Sequence, residues 1–174
     1  MNISVLSSPD AVQYRSVMLH AYAHAPDAFT SSPEERAAEP DAWWVNRISN
    51  PAGLTVAFGA FEMKELTGVV TIEYSARPKT KHKALVVGMY VMPDWRGKGV
   101  ARALMNTAVD HAAARGGITV VQLHVTHGNA PATALYESLG FRAFGIEPMA
   151  VLTPGGYRSK VHMWRQLGGT VHAA

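Results

Sequence analysis

The spacing of apolar residues changes character several times along the chain. Residues 2–6 (NISVL) read as a short strand. Ser8 then suits a helix N-cap, with Pro9 at the first helical position and Asp10 in the first turn. Over residues 11–23, Val12, Leu19, Tyr22 and the stem of Arg15 recur at helical spacing. HAPDAFTSSPEE breaks that helix at Pro26 and starts another. Ser32 caps it, Pro33 fits its first position, and Glu34 and Glu35 suit its positive end. DAWWVNRI continues as a further turn or two beyond Pro40, and Asn50-Pro51-Ala52-Gly53 is a turn.

The period then shortens. LTVAFGAF (54–61) and LTGVVTIEY (66–74) are strand-like, and ALVVGMYVM (84–92) is apolar on both faces, as a central strand covered on two sides should be. Val100, Leu104, Ala108 and His111 or Ala112 return to helical spacing until Gly116-Gly117. ITVVQLHV (118–125) is a further strand, and residues 129–139 a short helix ended by Gly140. FRAFGIEPMAVL and YRSKVHMWRQL flank TPGG, a hairpin turn. This order predicts an α/β (α+β) fold, a mixed sheet of about seven strands with helices on both faces. The strands on either side of the Val100 helix are expected to be parallel neighbours. Residues 1–167 read as one domain and 168–174 as a tail.

Composition narrows the chemistry. The 174 residues are 48% hydrophobic and 17% charged, which suits a sizeable core. No run approaches the roughly 18 apolar residues of a membrane span, and MNISVLSSPD lacks the basic start of an export signal, so a cytoplasmic protein without a membrane partner is expected. Cysteine is absent, which excludes disulfides, thiolate metal sites and a cysteine nucleophile. The His residues show no spacing that assembles a metal site. The 16 Lys and Arg barely exceed the 13 Asp and Glu, so nucleic acid is not expected as a partner, and RPKTKHK (77–83) reads as a solvated link.

One stretch carries more than packing. In PDWRGKGVARAL, Pro93 ends the central strand, and Gly97 and Gly99 open backbone conformations closed to other residues just where a helix begins. The amides of residues 98–102 include the unpaired donors of that helix start, a natural phosphate site, with Arg96 and Lys98 adding charge. A glycine turn with solvated charges is the plainer alternative. Arg96-Gly97-Lys98-Gly99-Val100-Ala101 resembles the coenzyme A signature of the GNAT superfamily of N-acetyltransferases, and NAPATALYESLGF (129–141) is similar to a second block of that family. The likeness is clear over residues 85–141.

The resemblance implies a splayed parallel pair of central strands with acetyl-CoA between them as co-substrate and no metal. It places the pyrophosphate on the amides of Arg96, Gly97, Lys98, Gly99, Val100 and Ala101, and pairs the pantetheine arm with the backbone of Met89, Tyr90 and Val91. Asn129 is to hold the splayed edge or the cofactor, or simply to cap its helix. Tyr136 is the implied general acid at the departing sulfur, with helix packing as its ordinary alternative. The family's usual Glu is missing from residues 84–92. Glu73, alternating with Val70 and Ile72, and His124, alternating with Leu123 and Val125, are candidate bases, with His127 a lesser rival, beside a water chain with no single base. One of Trp43 and Trp44 is expected to pack on the sheet and the other to line the acceptor pocket. The acceptor is a small-molecule amine or a protein N-terminus. A non-catalytic acyl-CoA-binding regulatory module is the alternative, though it has no need of Tyr136. Val161, Met163 and Trp164, taken as the outer strand of the terminal hairpin, suggest a homodimer.

Overall fold

A computed structural model describes residues 1–168 of the chain, so the tail expected for 168–174 lies, Gly168 aside, outside the described residues. The strands are β1 (Asn2–Val5), β2 (Thr55–Glu62), β3 (Glu65–Tyr74), β4 (Lys83–Val91), β5 (Val120–Thr126), β6 (Arg142–Thr153) and β7 (Gly156–Gln166). The helices are α1 (Ala11–His24), α2 (Pro33–Ala37), α3 (Asp41–Ile48), α4 (Val100–Ala114) and α5 (Ala130–Ser138). The strands form one seven-stranded sheet in the order β1-β2-β3-β4-β5-β7-β6. Every neighbouring pair is antiparallel except β4 and β5.

That parallel pair positions the site. Its register covers only Lys83↔Val120 through Val86↔Leu123, after which β4 continues to Val91 and β5 to Thr126 without pairing with each other. The cause sits on the other edge of β4. Pairing to β3 passes from Thr71↔Val87 to Val69↔Tyr90, which leaves one extra residue in β4. Gly88 takes φ +61° within this bulge. A bulge bends its strand, and β4 turns away from β5.

Helices cover both faces. Beneath α4 and α5, Val70, Ile72, Val86, Leu123 and Val125 join Leu104, Met105 and Tyr136 in one core. On the opposite face Val69 and Tyr90 pack with Tyr14, Met18 and Trp44 from α1 and α3. The Ser32 cap is present, its hydroxyl accepting from the Glu35 amide at 3.1 Å.

Two readings of the pattern are corrected. In α1 the stripe through Val12 is only partly the buried one; Tyr22 is buried, but Val12 is 81% exposed, and Ala11, Tyr14, Val17, Met18 and Ala21 face the sheet. The buried face mixes alanines with Tyr14, Val17 and Met18, one step round the helix from the stripe counted from Val12. In the terminal hairpin β7 is not the outer strand. It lies between β5 and β6 with Met163 fully buried. Alternation shows that a strand has a buried face, and says nothing of which hairpin arm docks on the sheet. The free edge belongs to β6, which exposes Phe144, Ile146 and Leu152.

Candidate active site

A cleft of about 980 Å³ opens where β4 and β5 diverge. Its first wall is the turn from β4 into α4. Gly97 and Gly99 take φ +73° and +80°, and Gly99 is the N-cap of α4 in the left-handed conformation. A side chain at either would meet no atom within 4 Å. The glycines are therefore set by backbone conformation and by the open space in front of them. Among the described residues no amide of residues 97–102 has a hydrogen-bond acceptor. Six successive free N–H groups at the positive end of a fifteen-residue helix form a cradle for an anion.

The cations of this wall differ in their use. Arg96 lines the cleft, donates from Nε to the Val91 carbonyl at 3.0 Å and lies over the Tyr90 ring at 5.3 Å. Lys98 places its Nζ 4.6 Å from the centre of the Trp95 ring and does not line the cleft; it contributes its amide, and the full charge expected beside the cradle is turned elsewhere. Arg102, which the sequence reading used only for its amide, does line the cleft and donates to Ser138 Oγ at 2.9 Å. Its position in the first turn of α4, within RGKGVAR, was the available signal.

Met89, Tyr90 and Val91 line the cleft with the β4 edge that β5 leaves unpaired. The Val91 carbonyl is already engaged by Arg96. Val100 and Ala101 also line it. Asn129 caps α5, its Oδ1 accepting from the Ala132 amide at 3.3 Å, and it also lines the cleft.

Tyr136 projects from α5 into the same cleft, 8% exposed. Burial pushes its hydroxyl up to about 12. Among the described residues that hydroxyl has no hydrogen-bond partner, yet it is not one of the polar atoms sealed from solvent. It is a protonated donor aimed at open space.

The second wall belongs to the face covered by α1 and α3. Glu73 reaches it, bound to Arg47 of α3 at 2.7 Å, with both side chains about a third exposed. His124 reaches it from β5, its ring 4.0 Å from that of His162, which is in turn 2.9 Å from Glu147. Partial burial, then the neighbouring His162 and Lys160, hold His124 below the ordinary imidazole range despite the opposing pull of Glu147. A neutral imidazole at pH 7 can accept a proton. His127 does not line the cleft. Trp44 is buried in the core and Trp43 lines the cleft beneath the Arg36 guanidinium, the division expected of the pair. Lys160 also lines this wall, and nothing in the local sequence singled it out. Among the described residues no cluster of three or more His, Asp or Glu is arranged to hold a metal, and no helix is long and apolar enough to cross a membrane.

Comparison with known proteins places this geometry in context. The model of the acetyltransferase (GNAT) family matches residues 18–141, well over half of the chain. The L-amino acid N-acetyltransferase AaaT of Escherichia coli is 28% identical over 125 residues, 72% of this chain and 76% of that protein. The streptothricin acetyltransferase of Streptomyces lavendulae is 36% identical over 83 residues, 48% of this chain and 42% of that protein. Among solved structures, Salmonella typhimurium yncA, solved with its cofactor acetyl-CoA, superposes with a TM-score of 0.81 at 22% identity, covering 100% of this chain and 98% of that one. That likeness shows the shared fold.

Proposed function

The chain belongs to the acetyltransferase (GNAT) family, an N-acetyltransferase with acetyl-CoA as its co-substrate, and from that premise we propose that it acetylates a primary amine, on a small molecule or a protein N-terminus, by direct attack in a ternary complex. One conjunction carries the reading: six acceptor-less amides at the start of α4, an unpaired β4 edge and an unpartnered Tyr136 hydroxyl share one cleft. A regulatory module that only binds acyl-CoA has use for the first two and none for the third.

Acetyl-CoA supplies the activated thioester; the chain's residues supply position and proton traffic. The free amides of residues 97–102, with the Arg96 and Arg102 side chains alongside, hold the pyrophosphate; the Arg96 amide, expected to join them, is already bonded to the Pro93 carbonyl at 3.1 Å. Met89 and Tyr90 pair the pantetheine arm as an added strand, and the cap of Asn129 fixes the start of α5 beside it. His124, neutral near pH 7, takes the ammonium proton of the acceptor directly or through water. Glu73 is the less available candidate, because its carboxylate is engaged by Arg47 at 2.7 Å.

Tyr136 serves the leaving group. A phenol at about 12 lies about 3.5 units above an ordinary thiol, so complete transfer to an isolated thiolate costs about 5 kcal/mol. The hydroxyl therefore stabilises developing charge on sulfur through a hydrogen bond and gives up its proton only as replacement arrives from the amine. Tyr136→Phe keeps the ring and leaves no protein group unpaired. We expect kcat, followed as thiol release at saturating acetyl-CoA, to fall about ten- to a thousand-fold, with affinity for acetyl-CoA changed by less than about threefold. Unaltered kcat would remove the acid role. For assembly, the reading extends to a homodimer through the free β6 edge, where a second copy supplies the same strand across a two-fold axis.

A further inference from the structure

Lys160 is 9% exposed, yet among the described residues no carboxylate lies within 4.0 Å of its Nζ. Among the described residues its one hydrogen bond is a long one, 3.4 Å to the Ala28 carbonyl, leaving two of three donors unused. The nearest counter-ion by register is Glu147, directly across on β6, and that carboxylate is bound to His162. A buried ammonium without an anion is costly and rare.

Its direction is set by the sheet. Val161 and Met163 point to the core beneath α4 and α5, so Lys160 points to the opposite face, where it pairs across β5 with Thr126 and lines the second wall of the cleft. Two further cations stand on that wall, and both are matched. Arg36 is bound by Glu39 at 3.3 Å, and Arg47 by Glu73 at 2.7 Å. Lys160 alone has no ion-pair partner of its own; Glu147 acts on it only from beyond contact distance and is itself bound to His162. An amine acceptor arrives as an ammonium, which such a charge repels unless the acceptor brings its own anion.

We propose that Lys160 anchors a carboxylate carried by the acceptor, which makes the acceptor an aminocarboxylate rather than a polyamine or another cationic amine. The inference rests on the acetyl-transfer reading of the cleft. A carboxylate fits better than a phosphate, because a dianion asks for more than one free cation and the arginines of this wall are already paired. Tyr22, Phe29 and Trp43 line the same side and suit an apolar body between amine and carboxylate. With the carboxylate on Lys160, the same ammonium lowers the acceptor amine's proton affinity and favours its reactive neutral form.

The test is binding, independent of turnover. Calorimetry with the protein saturated in coenzyme A compares L-phenylalanine, L-leucine and L-tryptophan with their three carboxamides. The wild type is expected to bind at least one acid about 10- to 100-fold tighter than its own amide. In Lys160→Met that preference falls below about threefold, and in Lys160→Arg, which keeps the charge, most of it remains. Equal or tighter binding of the amides, binding of neither set, or an unchanged preference in Lys160→Met would overturn the anchor. The wild-type comparison stands even if a variant fails to fold. Thiol release measured on the same compounds separates the two readings. Amides that turn over while acids neither bind nor react remove the anchor and keep acetyl transfer. Lys160-dependent binding of acids with no thiol release from any amine keeps the anchor and removes acetyl transfer.

Discussion

At the scale of single residues the site divides into groups that motif likeness finds and groups that only packing reveals. Tyr136 was legible because it stands in a block with an intact neighbourhood, Leu-Tyr-Glu. His124 was legible only as a candidate, since alternation gives the face of a strand without saying what that face meets. Its neutral state comes from partial burial and from His162 and Lys160, partners brought in by β7 and invisible in VVQLHVT. The direction has a consequence for pH. A base must be unprotonated, so with His124 as the proposed base activity is expected above its pKa and is lost as pH falls through it, which puts the acid limb of kcat below the ordinary imidazole value of about 6.5. His124→Gln is expected to lower kcat about tenfold or more and to abolish that limb. A limb that persists unmoved in the variant assigns it to another group. Lys160 was not legible at all, because a buried lysine looks in sequence like any solvated strand cation.

At the scale of elements, the turn into α4 was read from sequence almost in full. Glycines at 97 and 99 before an apolar helix imply left-handed backbone and free amides, and the dihedral angles bear that out. Side-chain directions were less legible; Lys98 folds back over Trp95 rather than facing the cleft. Because Gly99 is held at φ +80° with open space before it, Gly99→Ala clashes with nothing and instead strains the backbone by about 1–2 kcal/mol. Relief of that strain misaligns the amides. The dissociation constant for acetyl-CoA should rise about tenfold while the protein stays folded, checked by calorimetry beside thermal melting. Unchanged affinity in a folded Gly99→Ala protein would move the pyrophosphate elsewhere. The α1 stripe and the hairpin order failed for a shared reason. Periodicity gives a spacing without choosing among apolar options: in α1 the stripe counted from Val12 lies one step round from the buried Tyr14, Val17 and Met18, and the hairpin is apolar on both arms.

At the scale of the whole molecule, the alternation of strand and helix was enough for a mixed sheet with one parallel pair, since a strand-helix-strand crossover forces parallel neighbours. The splay itself follows from a one-residue bulge at Gly88, a register event that sequence records only as a glycine in an apolar run. The homodimer is tested by sedimentation at micromolar concentration. A dimer is expected in the wild type and a monomer in Ile146→Lys, which charges the free β6 edge; a wild-type monomer would leave that edge unpartnered. The central claim is direct transfer from acetyl-CoA to an amine within this cleft, with no cysteine anywhere in the chain to carry the acetyl group. The measurement that meets it head-on is the initial rate of thiol release with acetyl-CoA and amine varied together. The account predicts release that depends on the amine, equals the N-acetylated product formed, and gives intersecting double-reciprocal lines. Parallel lines with an acetylated enzyme, or acetyl-CoA binding without amine-dependent release, would contradict it.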